Sequence, residues 1–458
     1  MRKAFAFVVA GVMAFGPMVA QAETLADALI AAYRNSNLLD QNQAVLRAAD
    51  EDVALAVSAL QPVIQFTIQS QWRNQEFRNL AGVVQDTDSL TTQLAFTAEM
   101  TLYDFGRSAL AIEIAKESVL ATRESLVSVE QQVLLDAVTA YVDVRLATEI
   151  VDLRQSNLRL ITQELRAARD RFEVGEITRT DVSVAEARLA GSRAQLAAAE
   201  GDLLVAREAF KAATGEYPGN LQPLPPTPRT ARTLEEAVDI GLRTHPAVRQ
   251  SQHQVVISGL SIDRARADFE PTIGAQASIG IDDRGLENQS VGISLNQTLY
   301  SGGRQAALLR RAIAQDEAAR AGLLQTGVQI EQAVGNAWAN ILVTSAGIEA
   351  NNRQIRAAQE AFNGIREEAT LGARTTLDVL DAEQELLDAR AAKQQSEAQR
   401  YVGVYRLLSA MGLLTADHLG LGVPTYDPAA YYNTVKDAPV HSAQGAALDR
   451  ILGRIANE

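Results

Sequence analysis

The 458-residue sequence contains no cysteine. Disulfides, thiolate metal sites, thiol nucleophiles and an acylated N-terminal cysteine are thereby excluded, so any attachment to a membrane has to come from the fold itself. Histidine is scarce. His245, His253, His418 and His441 fall in different segments, with no ligand spacing and no Ser or Cys nucleophile motif beside them, so no metal, no cofactor and no enzymatic activity are expected. Positive charge is also short: the formal net charge is −14, and loss of Arg2 and Lys3 with a leader would make it two units more negative. Such an acid excess excludes nucleic acid as a partner. Finally, beyond residue 22 no apolar run approaches the ~20 residues of a membrane-spanning helix, which leaves a β-barrel as the way into a bilayer.

Residues 1–22 read as a cleaved export signal. Arg2 and Lys3 precede an apolar stretch from Ala4 to Gly16, and Ala20-Gln21-Ala22 has the small-x-small form of a cleavage site. The stretch of about 13 residues is short for the alternative, a retained anchor. The mature chain is expected to start at Glu23.

What the sequence does contain is repetition. Thr101-Leu102-Tyr103-Asp104-Phe105-Gly106-Arg107 returns 197 positions on as Thr298-Leu299-Tyr300-Ser301-Gly302-Gly303-Arg304. The same offset carries Gly175, Asp181 and Val182 onto Gly372, Asp378 and Val379, and Gly215 onto Gly412. Earlier in each copy the offset is 209, with Thr24-Leu25 and Ala28 matching Thr233-Leu234 and Ala237, so the first copy holds 12 extra residues before Thr101. Matches at shared offsets mark a tandem duplication, assigned here to 23–215 and 233–421. Between the copies, 216–232 carries Pro218, Pro223, Pro225, Pro226 and Pro228 and is expected to be a linker, neither helix nor central strand. A tail, 422–458, follows, with a weak stripe of Leu448, Ile451, Leu452 and Ile455.

Each copy reads as a helix, two strands and a long helical hairpin. Residues 107–174 contain neither Gly nor Pro, and a continuous helix of about 67 residues there would be ~100 Å long. Val127, Leu134, Val138 and Tyr141 recur at helical spacing, as on a helix packed along its length; a fibrous coiled coil would share that period. The counterpart, 304–371, is interrupted by Gly322, Gly327, Gly335, Gly347 and Gly364, each costing up to ~1 kcal/mol in a helix interior. Gly175-Glu176-Ile177-Thr178 and Gly372-Ala373-Arg374-Thr375 predict the chain reversals, with Gly as C-cap and Thr as N-cap of returning helices that end near Thr214 and Met411.

The strand pairs are placed in 62–103 and 271–300. Ile64, Phe66, Ile68 and Trp72 alternate with Gln65, Thr67, Gln69 and Gln71, and Leu94, Phe96, Ala98, Met100 and Leu102 alternate with Gln93, Thr97, Glu99 and Thr101. In the second copy Ile273, Ala275, Ala277, Ile279 and Ile281, then Val291, Ile293, Leu295 and Leu299, form the apolar face. Such segments approach the ~9–11 residues that cross a bilayer obliquely. A small soluble sheet would alternate in the same way, but the long helices leave it no evident core. Four strands cannot close a barrel, whereas three copies would supply twelve, enough for an open lumen. Trp72, Tyr103 and Tyr300 are candidate interfacial aromatics at strand ends. Pro62, Gly106, Pro271 and Gly303 are the expected junctions between strands and helices.

Together these residues resemble the TolC family of trimeric outer-membrane efflux and secretion channels, over roughly 23–421. The resemblance rests on the duplication, the strand pair in each copy, the Tyr-x-x-Gly-Arg segments, and above all Gly372-Ala373-Arg374-Thr375-Thr376-Leu377-Asp378-Val379-Leu380-Asp381-Ala382. It implies a mainly α protein with membrane β: a homotrimer whose 12-stranded barrel in the outer membrane of a Gram-negative cell continues as a helical tunnel through the periplasm. It also implies partners, namely a periplasmic adaptor (membrane fusion) protein and an inner-membrane ABC transporter or proton-driven pump, with outer-membrane lipid around the barrel. The wording of the Gly-Ala-Arg-Thr-Thr motif and the tail from Tyr426-Asp427-Pro428 to Tyr431-Tyr432 resemble members serving type I protein secretion. Multidrug or small-molecule efflux is the alternative, and a soluble periplasmic coiled-coil scaffold is the reading from another class. The resemblance further places a periplasmic gate at Asp378 and Asp381, with Arg374 holding the second hairpin to the first through Thr180 and Asp181. Ala369 stands where the family's best-known member has a tyrosine in that network. Asp378 has a plainer reading as well, an acid in a first helical turn.

The polar segments 73–88 and 282–289 are expected to be loops outside the cell, opposite the helices. An epitope inserted beside Gly82 should therefore be labelled by antibody on intact cells; labelling only after permeabilisation would reverse the orientation.

Overall fold

The computed structural model describes residues 23–78 and 84–438. The leader, Gly82 and the Leu448 to Ile455 stripe fall outside them. The element order is α1 (Leu25–Asn35), α2 (Asn37–Ser58), β1 (Val63–Arg78), β2 (Val84–Tyr103), α3 (Arg107–Glu173) and α4 (Arg179–Thr214) in the first copy. The second copy repeats it with α5 (Leu234–Thr244), α6 (Pro246–Ala267), β3 (Thr272–Asp282), β4 (Glu287–Asn296), α7 (Arg304–Thr370) and α8 (Thr376–Ala410); α9 (Pro428–Val435) follows in the tail. The chain groups into two units. One gathers the segments up to Ser36, Leu134–Arg229 and Asn340–Tyr405, and the other gathers Asn37–Val133, Thr230–Ala339 and the chain from Arg406 onward.

α3 and α7 are both 67 residues long. The five glycines of α7 do not interrupt it, since side-chain packing along a helix outweighs intrinsic propensity. The leading helix of each copy is broken, where the sequence reading expected one. In the second copy Pro246 lacks an N–H and forces His245 into extended backbone, at φ −66° and ψ 128°. The equivalent Ser36 is extended too, at ψ 103°. Thr24 closes a capping box with Asp27, and its counterpart Thr233 accepts from the Glu236 N–H at 3.2 Å.

Within the first unit, Tyr141 is fully buried and its hydroxyl donates to the Gln222 carbonyl at 2.8 Å, pinning the proline-rich 216–229 stretch, which also bridges Leu221 to Glu23. Asn35 Nδ2 donates to the Thr214 carbonyl at 2.8 Å. The second unit repeats that joint with other chemistry: Thr244 Oγ1 donates to the Met411 carbonyl at 2.6 Å.

The second unit also holds the sheet, all antiparallel in the order β1-β2-β3-β4. The register sets Ile64 beside Ala98, Ala277 and Val291, so one apolar face runs across all four strands. That face is uncovered within the chain: Phe66, Ile68, Trp72, Val291 and Ile293 are all exposed. No described helix is apolar enough over sufficient length to cross a membrane. β3 and β4 have 11 and 10 residues, but β1 and β2 have 16 and 20. The expected 73–88 loop is corrected accordingly: Arg73 pairs with Ser89 and Arg78 with Val84, so the hairpin continues well past the point where β3 stops pairing β2 at Gln93. Between β3 and β4 the turn is 283–286, closed by Asp282 Oδ1 accepting from the Arg284 and Leu286 N–H groups at 2.9 and 2.8 Å. β4 also ends at Asn296, four residues before Tyr300.

Gly412 ends the second hairpin at φ +75°, and a Cβ there would lie 2.6 Å from His245 Cα. Gly412→Ala should lower stability by more than ~1 kcal/mol, whereas Gly322→Ala, in open helix, should be neutral or stabilising. Thermal unfolding followed by circular dichroism in detergent checks both.

Candidate functional site

The two hairpin turns of the first unit meet in a cleft of about 570 Å³, lined by Arg171, Glu176, Thr178 and Asp181 from one copy and by Ala369, Arg374, Thr375 and Asp378 from the other. Each turn is a Schellman closure. Gly175 at φ +82° lies within the loop closed by the Glu176 N–H to Arg171 carbonyl bond of 2.9 Å, and Gly372 at φ +77° within that closed by the Ala373 N–H to Glu368 carbonyl bond of 2.9 Å. Thr178 and Thr375 then cap the returning helices. Asp181 Oδ2 accepts from the Thr178 N–H and hydroxyl at 2.9 and 2.8 Å, and Asp378 Oδ2 accepts from those of Thr375 at 2.9 and 2.9 Å.

Those caps account for two of the expected gate residues. Asp378 is drawn below its ordinary carboxylate range first by the Thr375 backbone N–H, then by the Thr375 hydroxyl, with Arg374 adding attraction. Asp381 lies one turn on, exposed, with its Oδ1 accepting from Arg188 of α4 at 2.5 Å. Arg374 lies across its own turn from Glu368, Nε to Oε2 at 2.9 Å. Within the chain it therefore meets neither Thr180, which is exposed on the first turn of α4, nor Asp181, which is engaged with Thr178. Ala369 is buried against Phe362 and Val379.

Two contacts here went unnoticed in the sequence. The Arg188 to Asp381 pair joins elements 193 positions apart, and no local pattern announces it. Glu383 is different. It interrupts the apolar stripe of Val379, Leu380, Leu386 and Leu387, and a carboxylate on a buried stripe is a visible signal. The remaining candidates lie in the second unit. Pro62 and Pro271 immediately precede β1 and β3, while Gly106 and Gly303, at φ +86° and +85°, turn the chain into α3 and α7. Arg107 secures the first junction by donating to the Ala267 carbonyl at 3.1 Å, and Asp104 accepts from the Ser108 N–H at 2.8 Å. Trp72, expected at a strand end, lies exposed within β1 because pairing continues to Arg78, whereas Tyr103 does end β2, with its ring 4.7 Å from that of Phe105. Among the described residues no group of His, Asp and Glu is arranged to hold a metal ion.

The family model described as "Outer membrane efflux protein" matches 29–216 and 238–413, the two copies in turn. The chain is 34% identical over 426 residues to the outer membrane efflux protein BepC of Brucella suis, covering 91% of each chain. It is 26% identical to the alkaline protease secretion protein AprF of Pseudomonas aeruginosa, over 74% of this chain and 72% of that one. In fold it is similar to the crystal structure of the Campylobacter jejuni CmeC outer membrane channel, with a TM-score of 0.76 at 14% identity over 91% of this chain and 90% of that one.

The depressed Asp378 carboxyl gives the α8 cap a definite pH window. A lowered pKa stabilises above the ordinary value near 3.8, and that contribution is lost as pH falls through the folded-state value below it. Pepsin should nick 371–378 at pH 2.5 but not at pH 4.5, and Thr375→Ala should be nicked at both; equal resistance of the two proteins would count against the cap.

Proposed function

The chain belongs to the outer membrane efflux protein family, and from that premise we propose that three copies close a 12-stranded barrel whose periplasmic end is gated at the α7 to α8 turn. The family makes it an outer-membrane efflux channel of tripartite systems rather than an enzyme. The observation that carries the trimer is the sheet: β1 and β4 are open edges and the apolar face is bare, and in lipid both faults are cured only by closure with further copies. Eight strands would leave a lumen filled with side chains, while twelve leave it open.

The polar face inside such a barrel would present Gln65, Thr67, Gln69, Gln71, Thr91, Gln93, Ser278 and Ser290, with Glu99 and Arg73 as the charged residues among them. Charge of one sign gathers at the gate, where three copies of Asp378 and Asp381 would ring the axis. Arg374, held on Glu368, lies beside this ring and stiffens the turn; any tie to the neighbouring hairpin forms between copies.

Type I protein secretion is the use we favour, with an ABC transporter and a periplasmic adaptor as partners. Relatives named for protease secretion, AprF at 26% and the Dickeya chrysanthemi protein PrtF at 27% identity, support it. Small-molecule efflux through a proton-driven pump is the second reading, favoured by the efflux name of the 34% identical relative.

Sedimentation in detergent should return a trimer. In planar bilayers Asp378→Asn with Asp381→Asn should leave trimers intact and lower cation selectivity, the more so because Arg188 loses its partner, and Arg374→Ser should raise resting conductance. Unchanged selectivity in normally assembled trimers would return the aspartates to capping alone.

A further inference from the structure

The helices of the first unit bury one carboxyl without an opposing charge bonded to it. Glu383 of α8 is 5% exposed. Its Oε1 accepts from Asn157 Nδ2 of α3 at 2.7 Å, and Asn157 Oδ1 in turn accepts from Ser192 Oγ of α4 at 3.1 Å, with both of those residues buried. Oε2 is buried with no hydrogen-bond partner. The carboxyl borders a cavity of about 230 Å³ that Ser156, Gln359, Phe362 and Arg390 also line. The charges facing it are Glu164 of α3, Arg366 of α7 and Arg390 of α8 itself; Arg390 donates to Gln359, and on α4 Arg188 is taken by Asp381.

We propose that Glu383 is a proton-binding site: with the proton on, it locks the first turns of α8 against α3 and α4, and with the proton off, it loosens them. The gating consequence rests on the channel reading, because the site lies two residues beyond Asp381 and five beyond Asp378. An ionised carboxylate there would leave a buried oxygen unpaired, which is the costly case, whereas a protonated one offers its O–H to the cavity. Burial, reinforced by Glu164, pushes this carboxyl up to about 7 against the opposing pull of Asn157 and Arg366. A raised pKa means that the packed form binds the proton more tightly. Its stabilisation is full below the ordinary value of 4.5 and is lost as pH rises through about 7. The window is separate from that of the Asp378 cap, which fails only in stronger acid.

The test uses the full-length trimer in detergent, with hydrogen exchange at 376–387 corrected for the intrinsic effect of pH. Protection should fall by at least about tenfold between pH 5 and pH 8. Glu383→Gln, a neutral isostere, should keep high protection at both pH values, as should Glu383→Met if the amide packs poorly. A flat wild-type profile, or a fall that survives both substitutions, would overturn the proposal. In bilayers the open fraction should rise over the same pH range in the wild type and not in Glu383→Gln. A trimer that passes no current at any pH would sink the channel reading alone, because the exchange profile still decides the proton site.

Discussion

Backbone hydrogen bonding at the two outer strands of the sheet is the constraint from which the rest follows. Inside one chain, β3 is paired on both sides and β2 is so from Gln93 onward, while β1 and β4 each present a row of N–H and C=O groups to nothing. In water such edges are tolerated. In hydrocarbon each unmet group costs several kcal/mol, so the strands enter a bilayer only once the edges have found one another. The long helices then gain a reason for their length, since a barrel so short cannot by itself reach back across a second compartment.

Much of this was legible because duplication and alternation are periodic, and periods survive in a bare sequence. The turns at Gly175 and Gly372, the caps at Thr178 and Thr375 and the apolar faces of all four strands depend only on neighbours in sequence or on a period of two. What was missed depends on distant partners or on length. Trp72 to Leu90 pairs as strand although its surroundings are polar, because a hairpin can extend into water without burying either face. Tyr300 repeats Tyr103 in sequence, but β4 ends earlier than β2, so the repeat holds in sequence and fails in hydrogen bonding. Around the α7 to α8 turn the sequence pattern named residues but not their bonds. Arg374 meets Glu368, and Asp381 meets Arg188, through side chains that no spacing rule brings together.

The two copies have kept their backbone chemistry and diverged in their charges. Both turns use the same Schellman closure and the same Thr-Asp box. Arg171 and Ile177 of the first turn, however, correspond to Glu368 and Arg374 of the second, and Val184 corresponds to Asp381. The second hairpin carries its charged pair at the turn itself, Glu368 with Arg374, and an acid one helical turn on, whereas the first joins its arms further back through Arg169 and Glu186. The duplication thus keeps the backbone closure of each turn and places the charges at different positions along the two hairpins.

The glycines of α7 carry a mechanical consequence. α3 and α7 have equal length, yet α3 contains no glycine and α7 contains five, of which Gly322, Gly335 and Gly364 have no neighbouring atom close enough to account for them by packing. Each bare position lowers the local cost of deforming the helix. The pair is therefore a stiff rod beside a compliant one, and bending strain passed along the protein concentrates in α7, the helix that leads directly into the turn at Gly372.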